Sequence, residues 1–171
     1  MNRLRDQRGF TLPELVMAIV IVAILAVVVT PSAALFPGMK VNAAAERVAS
    51  DLRYAKALAR QEGGPVGLAF SSATRYAVVR TTAKLGAPDP LQPTQSLVFD
   101  TIADFRFKGV TWAWTTPSHD NQLLFDTLGQ LRDDSYEVAT TPATIVLTLN
   151  GTTATIRVEP VTGRISTAVT P

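Results

Sequence analysis

Residues 15–29 form an unbroken apolar run. A single carboxylate, Glu14, stands directly before it, and no further charge follows until Lys40. A helix apolar on every side has no amphipathic face to lay on a core; lipid or other protein must surround it. The run is short of the roughly 20 residues of an independent span, and residues 10–12 with the small residues through 36 supply the missing length. An ionisable group at its mouth costs on the order of 2–3 kcal/mol, so Glu14 calls for a partner. Residues 1–9 are polar, with Arg3, Arg5 and Arg8 against Asp6, and excess Arg before an apolar run keeps that end cytoplasmic. A cut after Gly9 would expose a new α-ammonium on Phe10, four residues before Glu14. That ammonium would offset the carboxylate in the same chain or in a neighbouring copy.

The segment Gly9-Phe10-Thr11-Leu12-Pro13-Glu14-Leu15 resembles the prepilin cleavage motif of type IV pilins and type II secretion pseudopilins. The resemblance implies that a membrane prepilin peptidase cuts between Gly9 and Phe10 and N-methylates Phe10. It also implies that Glu14 meets the N-terminal amine of the next subunit as a fibre is assembled. Pro13 stands where many members carry Ile or Val; in the first helical turn a proline forfeits no hydrogen bond. One competing reading is a secretory signal peptide cut near Ser32-Ala33-Ala34, releasing a soluble domain after Ala34. Another is a plain anchor with an incidental Glu. A signal peptide has no use for Glu14.

Length and charge fit this arrangement. With 171 residues the chain has room for one domain plus appendages. A formal charge of +2 and a pI near 9.2 invite a polyanionic partner, but residues 1–9 hold three of the 16 Lys+Arg and one of the 14 Asp+Glu. Removing them leaves 13 of each sign, so global charge is silent about nucleic acid. There is no cysteine, so the fold does without disulfides in an oxidising compartment. Since many type IV pilins carry a C-terminal disulfide loop, this points away from a typical major pilin.

The expected organisation is a leader over 1–9, an apolar transmembrane or fibre-core helix over 10–38, and a globular head over 39–171. Pro31 should kink the first helix, and Pro37-Gly38 is a second break. Over 39–62 the pattern turns amphipathic: Val41, Ala45, Val48, Leu52, Ala55 and Ala59 recur at helical spacing. Glu46, Arg47, Asp51, Arg53, Lys56 and Arg60 fall largely off that stripe and read as a solvated face, with Arg47 and Asp51 an i,i+4 pair. Gly63-Gly64-Pro65 ends the helix. Were both helical parts continuous, they would span roughly 80 Å, too long to bury in a head of this size.

Residues 65–171 read as β. Candidate strands are 66–70, 76–81, 96–99, 105–110, 123–125, 144–149, 153–159 and 164–167, short and rich in Val, Ile, Thr and Phe. Asn150-Gly151 between two alternating runs marks a hairpin, which explains those residues without glycosylation at the Asn150-Gly151-Thr152 sequon. Residues 83–94, with three prolines, read as a loop. Leu123-Leu124-Phe125-Asp126-Thr127-Leu128-Gly129 and the closing hairpin with Thr162-Gly163-Arg164-Ile165 resemble minor pilins and pseudopilins of the GspH/FimT type. The implied fold is α+β, a long N-terminal helix packed on an antiparallel β-sandwich.

Chemistry finds little purchase. The only histidine, His119, lies in Ser118-His119-Asp120, and sequence neighbours diverge where a triad must converge. Asp133-Asp134 with Asp126 carries too little ligand spacing for calcium, and zinc ligands and phosphate loops are absent. The expectation is no enzyme, no metal and no cofactor. Trp112 and Trp114 share a face if their segment is a strand; core packing is the commoner use, contact with another subunit the sharper one. Three functions remain. The first is a minor subunit that initiates or caps a type IV pilus or type II secretion pseudopilus. The second is a DNA-capturing minor pilin, which would want more than Arg157 and Arg164 near its end. The third is a soluble secreted domain. We adopt the first: a single-pass bacterial inner-membrane protein with a periplasmic head, whose partners are the prepilin peptidase and other pilins or pseudopilins, nucleic acid being weakly supported.

Overall fold

The computed structural model describes residues 12–29, 37–80, 85–118 and 120–170. Gly9, Phe10, Pro31 and His119 lie outside them. The chain divides into two compact units, Met1–Leu35 and Phe36–Pro171.

In the first unit, helix α1 (Leu12–Val29) carries Glu14 in its first turn. Its described side chains from Leu12 to Ala23 are all exposed, a patch far too apolar for a surface meeting water alone. Its 18 residues make about 27 Å, just under the hydrocarbon thickness of about 30 Å. Among the described residues no helix is both long and apolar enough to cross a membrane; the rest of the expected span falls in residues 10, 11 and 30–36.

The second unit opens with helix α2 (Pro37–Glu62). Pro37, expected as a break, is its first residue, where a fixed φ suits the helix and no amide is missed. The buried face holds the whole expected stripe, Val41, Ala45, Val48, Leu52, Ala55 and Ala59, joined by Ala44, Ala49, Leu58 and Asp51. Alanine on that face lets the strands lie close. Gly63, at φ 70°, donates its amide to Ala59 O at 3.2 Å and closes the helix in the left-handed conformation glycine tolerates.

Two antiparallel sheets follow. The first contains β1 (Val66–Ser72), β2 (Arg75–Arg80), β3 (Leu85–Gly86), β4 (Val98–Asp100), β6 (Gln122–Phe125) and β7 (Leu131–Arg132). Its order is β3-β2-β1-β6-β7, with β4 also on β2. The second contains β5 (Thr111–Thr115), β8 (Ala143–Leu149), β9 (Thr152–Val158) and β10 (Ile165–Thr170), ordered β10-β9-β8-β5. α2 packs on strands of both sheets, β1 and β6 of one and β8, β9 and β10 of the other, and a single apolar cluster fills the space they enclose. The β8–β9 turn is the expected two-residue hairpin. Leu149 pairs with Thr152, and Asn150 and Gly151 have φ of 49° and 86°, as a type I′ turn requires.

The expected strand over 105–110 is not one. Asp100 Oδ1 accepts amides of Ile102 and Ala103 at 2.8 and 3.3 Å, and Asp104 Oδ1 accepts the Arg106 amide at 3.0 Å. These side-chain acceptors bend the chain into consecutive turns, leaving Phe105 81 % exposed and Phe107 and Val110 buried. The strand is the next segment, Thr111–Thr115, which carries both tryptophans. Their rings weld the two sheets: Trp112 stacks on Phe99 at 5.8 Å, and Trp114 stacks on Phe70 at 4.9 Å. The indole N–H of Trp112 reaches Ser72 O at 3.1 Å.

Candidate functional site

Two regions bear on function, the start of α1 and the flank of α2 that receives the late turns of the head. In the first, Glu14 is an exposed carboxylate in an apolar helix. A carboxylate in a first turn complements the helix dipole, yet α1 offers it no basic side chain in its last turn or anywhere else along its sequence.

The second region is built from residues distant in sequence. Asp126 organises the 126–130 turn: its Oδ1 accepts the amides of Leu128 and Gln130 at 2.9 and 2.7 Å, and its Oδ2 receives Arg132 Nη2 at 2.5 Å. Gly129 then sits where any side chain would collide with Lys56 and Arg60. Gly163, at φ 55°, approaches so closely that a Cβ there would overlap the Gly129 carbonyl oxygen. Lys56 Nζ donates to the carbonyls of Thr162 and Gly163 at 2.8 and 2.9 Å, and Arg60 Nη2 to that of Leu128 at 3.0 Å. The helix thereby locks both turns, and the Leu131 amide reaches Pro160 O at 2.8 Å. Burial and then Arg60 hold the Lys56 ammonium below its ordinary pKa. Lys56 and Arg60 read from sequence as solvated surface. The available signal was their i,i+4 like-charge spacing, unfavourable in an isolated helix and rational once carbonyls from elsewhere accept both.

Asp51, expected largely off the stripe, is 5 % exposed. Its Oδ2 accepts the Tyr76 hydroxyl at 2.7 Å and Arg47 Nε at 3.2 Å. Burial raises its pKa above the usual carboxylate value, with the Tyr76 hydrogen bond and the Arg47 guanidinium working against the shift. The native state therefore holds the Asp51 proton more tightly than the unfolded chain does. That contribution to stability is complete below the unfolded carboxyl pKa and is lost as pH rises through the raised one. Asp51→Asn keeps an acceptor for Tyr76 and removes the charge. Its unfolding free energy should exceed wild type near neutrality, with the gap shrinking as pH falls toward 4, as urea titrations at several pH values will show. Asp51→Ala instead leaves the fully buried Tyr76 hydroxyl without its acceptor and should cost about 1–3 kcal/mol.

Elsewhere the structure assigns the flagged residues mundane roles. Ser118 Oγ accepts the Asp120 amide at 3.2 Å. Asp133 Oδ1 closes a turn on the amides of Ser135 and Glu137 at 2.9 and 3.1 Å. Asp126 is committed to Arg132, and no group of metal-ligating side chains occurs among the described residues. Trp112 is 3 % exposed, so its indole belongs to the interior; Trp114 is half-buried, its N–H on Asn121 Oδ1 at 3.2 Å.

A family model described as type II transport protein GspH matches residues 44–163, which contains the α2 stripe from Ala45 onward and both late turns. A second, described as a prokaryotic N-terminal methylation motif, matches residues 4–30. Among solved structures the chain is similar to the minor pseudopilin EpsH from the type 2 secretion system of Vibrio cholerae. The two are 13 % identical with a TM-score of 0.55, over 76 % of this chain and 97 % of that one. It is also similar to the type IV minor pilin FimU of Pseudomonas aeruginosa, at 19 % identity and a TM-score of 0.52, over 80 % of this chain and 92 % of that one. At these identities the likeness is one of fold. No curated protein matches the chain in sequence.

Proposed function

The chain belongs to the GspH family of type II transport proteins, and from that premise we propose that it is a minor fibre subunit whose assembly runs through its N-terminal segment. The methylation motif over residues 4–30 carries the reading. It covers Gly9, Phe10 and Glu14 together, where a secretory signal peptide or a plain anchor accounts for the apolar run alone. The prepilin peptidase cuts between Gly9 and Phe10 and methylates the new N-terminus. Glu14 then meets the Phe10 ammonium of a neighbouring pilin or pseudopilin, so that two groups costly in an apolar setting neutralise each other on assembly. Pro31 supplies the break that lets the apolar helix adjust between lipid and fibre. Membership supports an envelope-associated, membrane-anchored assembly, and the role proposed for the chain there is structural.

The head fits the part of an end or low-abundance subunit of a type II secretion pseudopilus or type IV pilus. A DNA-capturing pilin is less favoured: the terminal strand β10 carries no cation, its sequence being Ile-Ser-Thr-Ala-Val-Thr. Fibres sheared or purified from cells should contain the chain well below the abundance of the major subunit. Its absence from both kinds of fibre, while it accumulates uncut in the membrane, would end this reading.

A further inference from the structure

The flank that locks the late turns also builds a surface. Arg53, Lys56, Arg60 and Arg164 line a hollow of about 270 Å³ between α2 and the start of β10. Lys56 is half-buried and, with Arg60, already spends donors on backbone carbonyls. Arg53 and Arg164 are exposed, and among the described residues neither guanidinium has a partner. No carboxylate lines the hollow. The nearest acid in sequence to Arg164 is Glu159, and Arg157 Nε holds it at 2.9 Å. Beside the cations lie two exposed apolar side chains, Leu128 at 67 % and Val161 at 63 %, each on the tip of one locked turn. Val161 and Pro160, with the Arg157-paired Glu159, line a second hollow that shares Arg164 with the first.

We propose that this surface receives an acidic segment of a neighbouring fibre subunit, with a carboxylate between Arg53, Arg60 and Arg164 and an apolar side chain against Val161. The inference rests on the reading of the chain as a fibre subunit and names where its head docks. Arginine is among the residues that protein interfaces concentrate, and the exposed Val161 adds apolar area beside it. The anchors are held before binding, because Gly129 and Gly163 leave the turns no slack and Lys56 and Arg60 fix their carbonyls; little ordering cost is left for association. A nucleic acid would ask instead for a row of cations along a backbone track. Here the four are confined to one small hollow, and the apolar tips have nothing to offer phosphate.

The test places a photo-cross-linking amino acid at Ala57, which is exposed and lines the hollow, in the full chain expressed in its own cells. The cross-linked peptide should come from another subunit of the same fibre and be rich in Asp or Glu. Its yield should fall about tenfold or more in Arg53→Glu/Arg164→Glu, since like charges then face each other. Both positions are exposed and unpartnered, so the thermal melt of the variant should match wild type, and Arg53→Gln/Arg164→Gln should give an intermediate yield. The proposal is overturned by a cross-link to a basic or neutral segment, by a yield indifferent to charge reversal, or by a salt-sensitive shift of a short DNA duplex that both arginines are needed for. The same samples report processing. A chain cut after Gly9 and present in fibres without the cross-link refutes the surface alone, whereas an uncut chain absent from fibres refutes the fibre reading with it.

Discussion

Glu14→Ala should leave cleavage after Gly9 intact and lower incorporation into fibres by about thirtyfold or more. The substitution lies five residues beyond the proposed scissile bond and removes no part of the Gly9-Phe10 pair. On the proposed reading, what it removes is the counter-charge for the Phe10 ammonium of a neighbouring subunit. An uncompensated charge in an apolar setting costs about 2–3 kcal/mol, and each 1.4 kcal/mol is about tenfold in an equilibrium. Glu14→Gln should behave alike, since the missing element is charge rather than shape. Quantitative blotting of fibre against membrane fractions reads the effect. Incorporation equal to wild type would take from Glu14 the role assigned to it.

Gly163→Ala should destabilise the head by about 3 kcal/mol or more, combining an overpacked contact with a left-handed backbone that a side chain resists. The new methyl would overlap the Gly129 carbonyl, and that oxygen belongs to a turn pinned by Asp126 and Arg60, so neither side can give way. Against a total stability of about 5–15 kcal/mol for a domain, the loss would show as a large drop in the urea midpoint. Gly151→Ala makes the useful contrast. It also has positive φ, but nothing lies within reach of an added Cβ, so the penalty should be confined to backbone strain of about 1 kcal/mol. Equal effects at the two glycines would show that the locked turns contribute nothing of their own.

Much of this was legible in local pattern. The α2 stripe from Val41 to Ala59 needed only the helical period, and the β8–β9 hairpin needed only Asn150-Gly151. The N-terminal motif is a linear signal that carries its own chemistry. What escaped depends on contacts that no window contains. Asp51 looked like one more polar residue off the stripe, and only Tyr76, which donates to it across the helix–sheet boundary, makes it an interior group. The stretch over 105–110 reads like a strand because Phe105 and Phe107 alternate with charged residues and Val110 closes it. Two aspartates with free acceptors turned it into loop, and the strand slipped to the tryptophans. Lys56 and Gly163 are joined across most of the head, which is why the surface they frame read as solvated charge on one side and a turn on the other.

On the proposed reading, this chain becomes a fibre subunit by cleavage at Gly9. Mass-spectrometric sequencing of the N-terminus of the protein recovered from its own cells addresses that claim most directly. The predicted result is an N-methylated Phe10 as the first residue, in both membrane and fibre fractions. A chain that begins at Leu35, or one that retains Met1 through Gly9 wherever it is found, would contradict it.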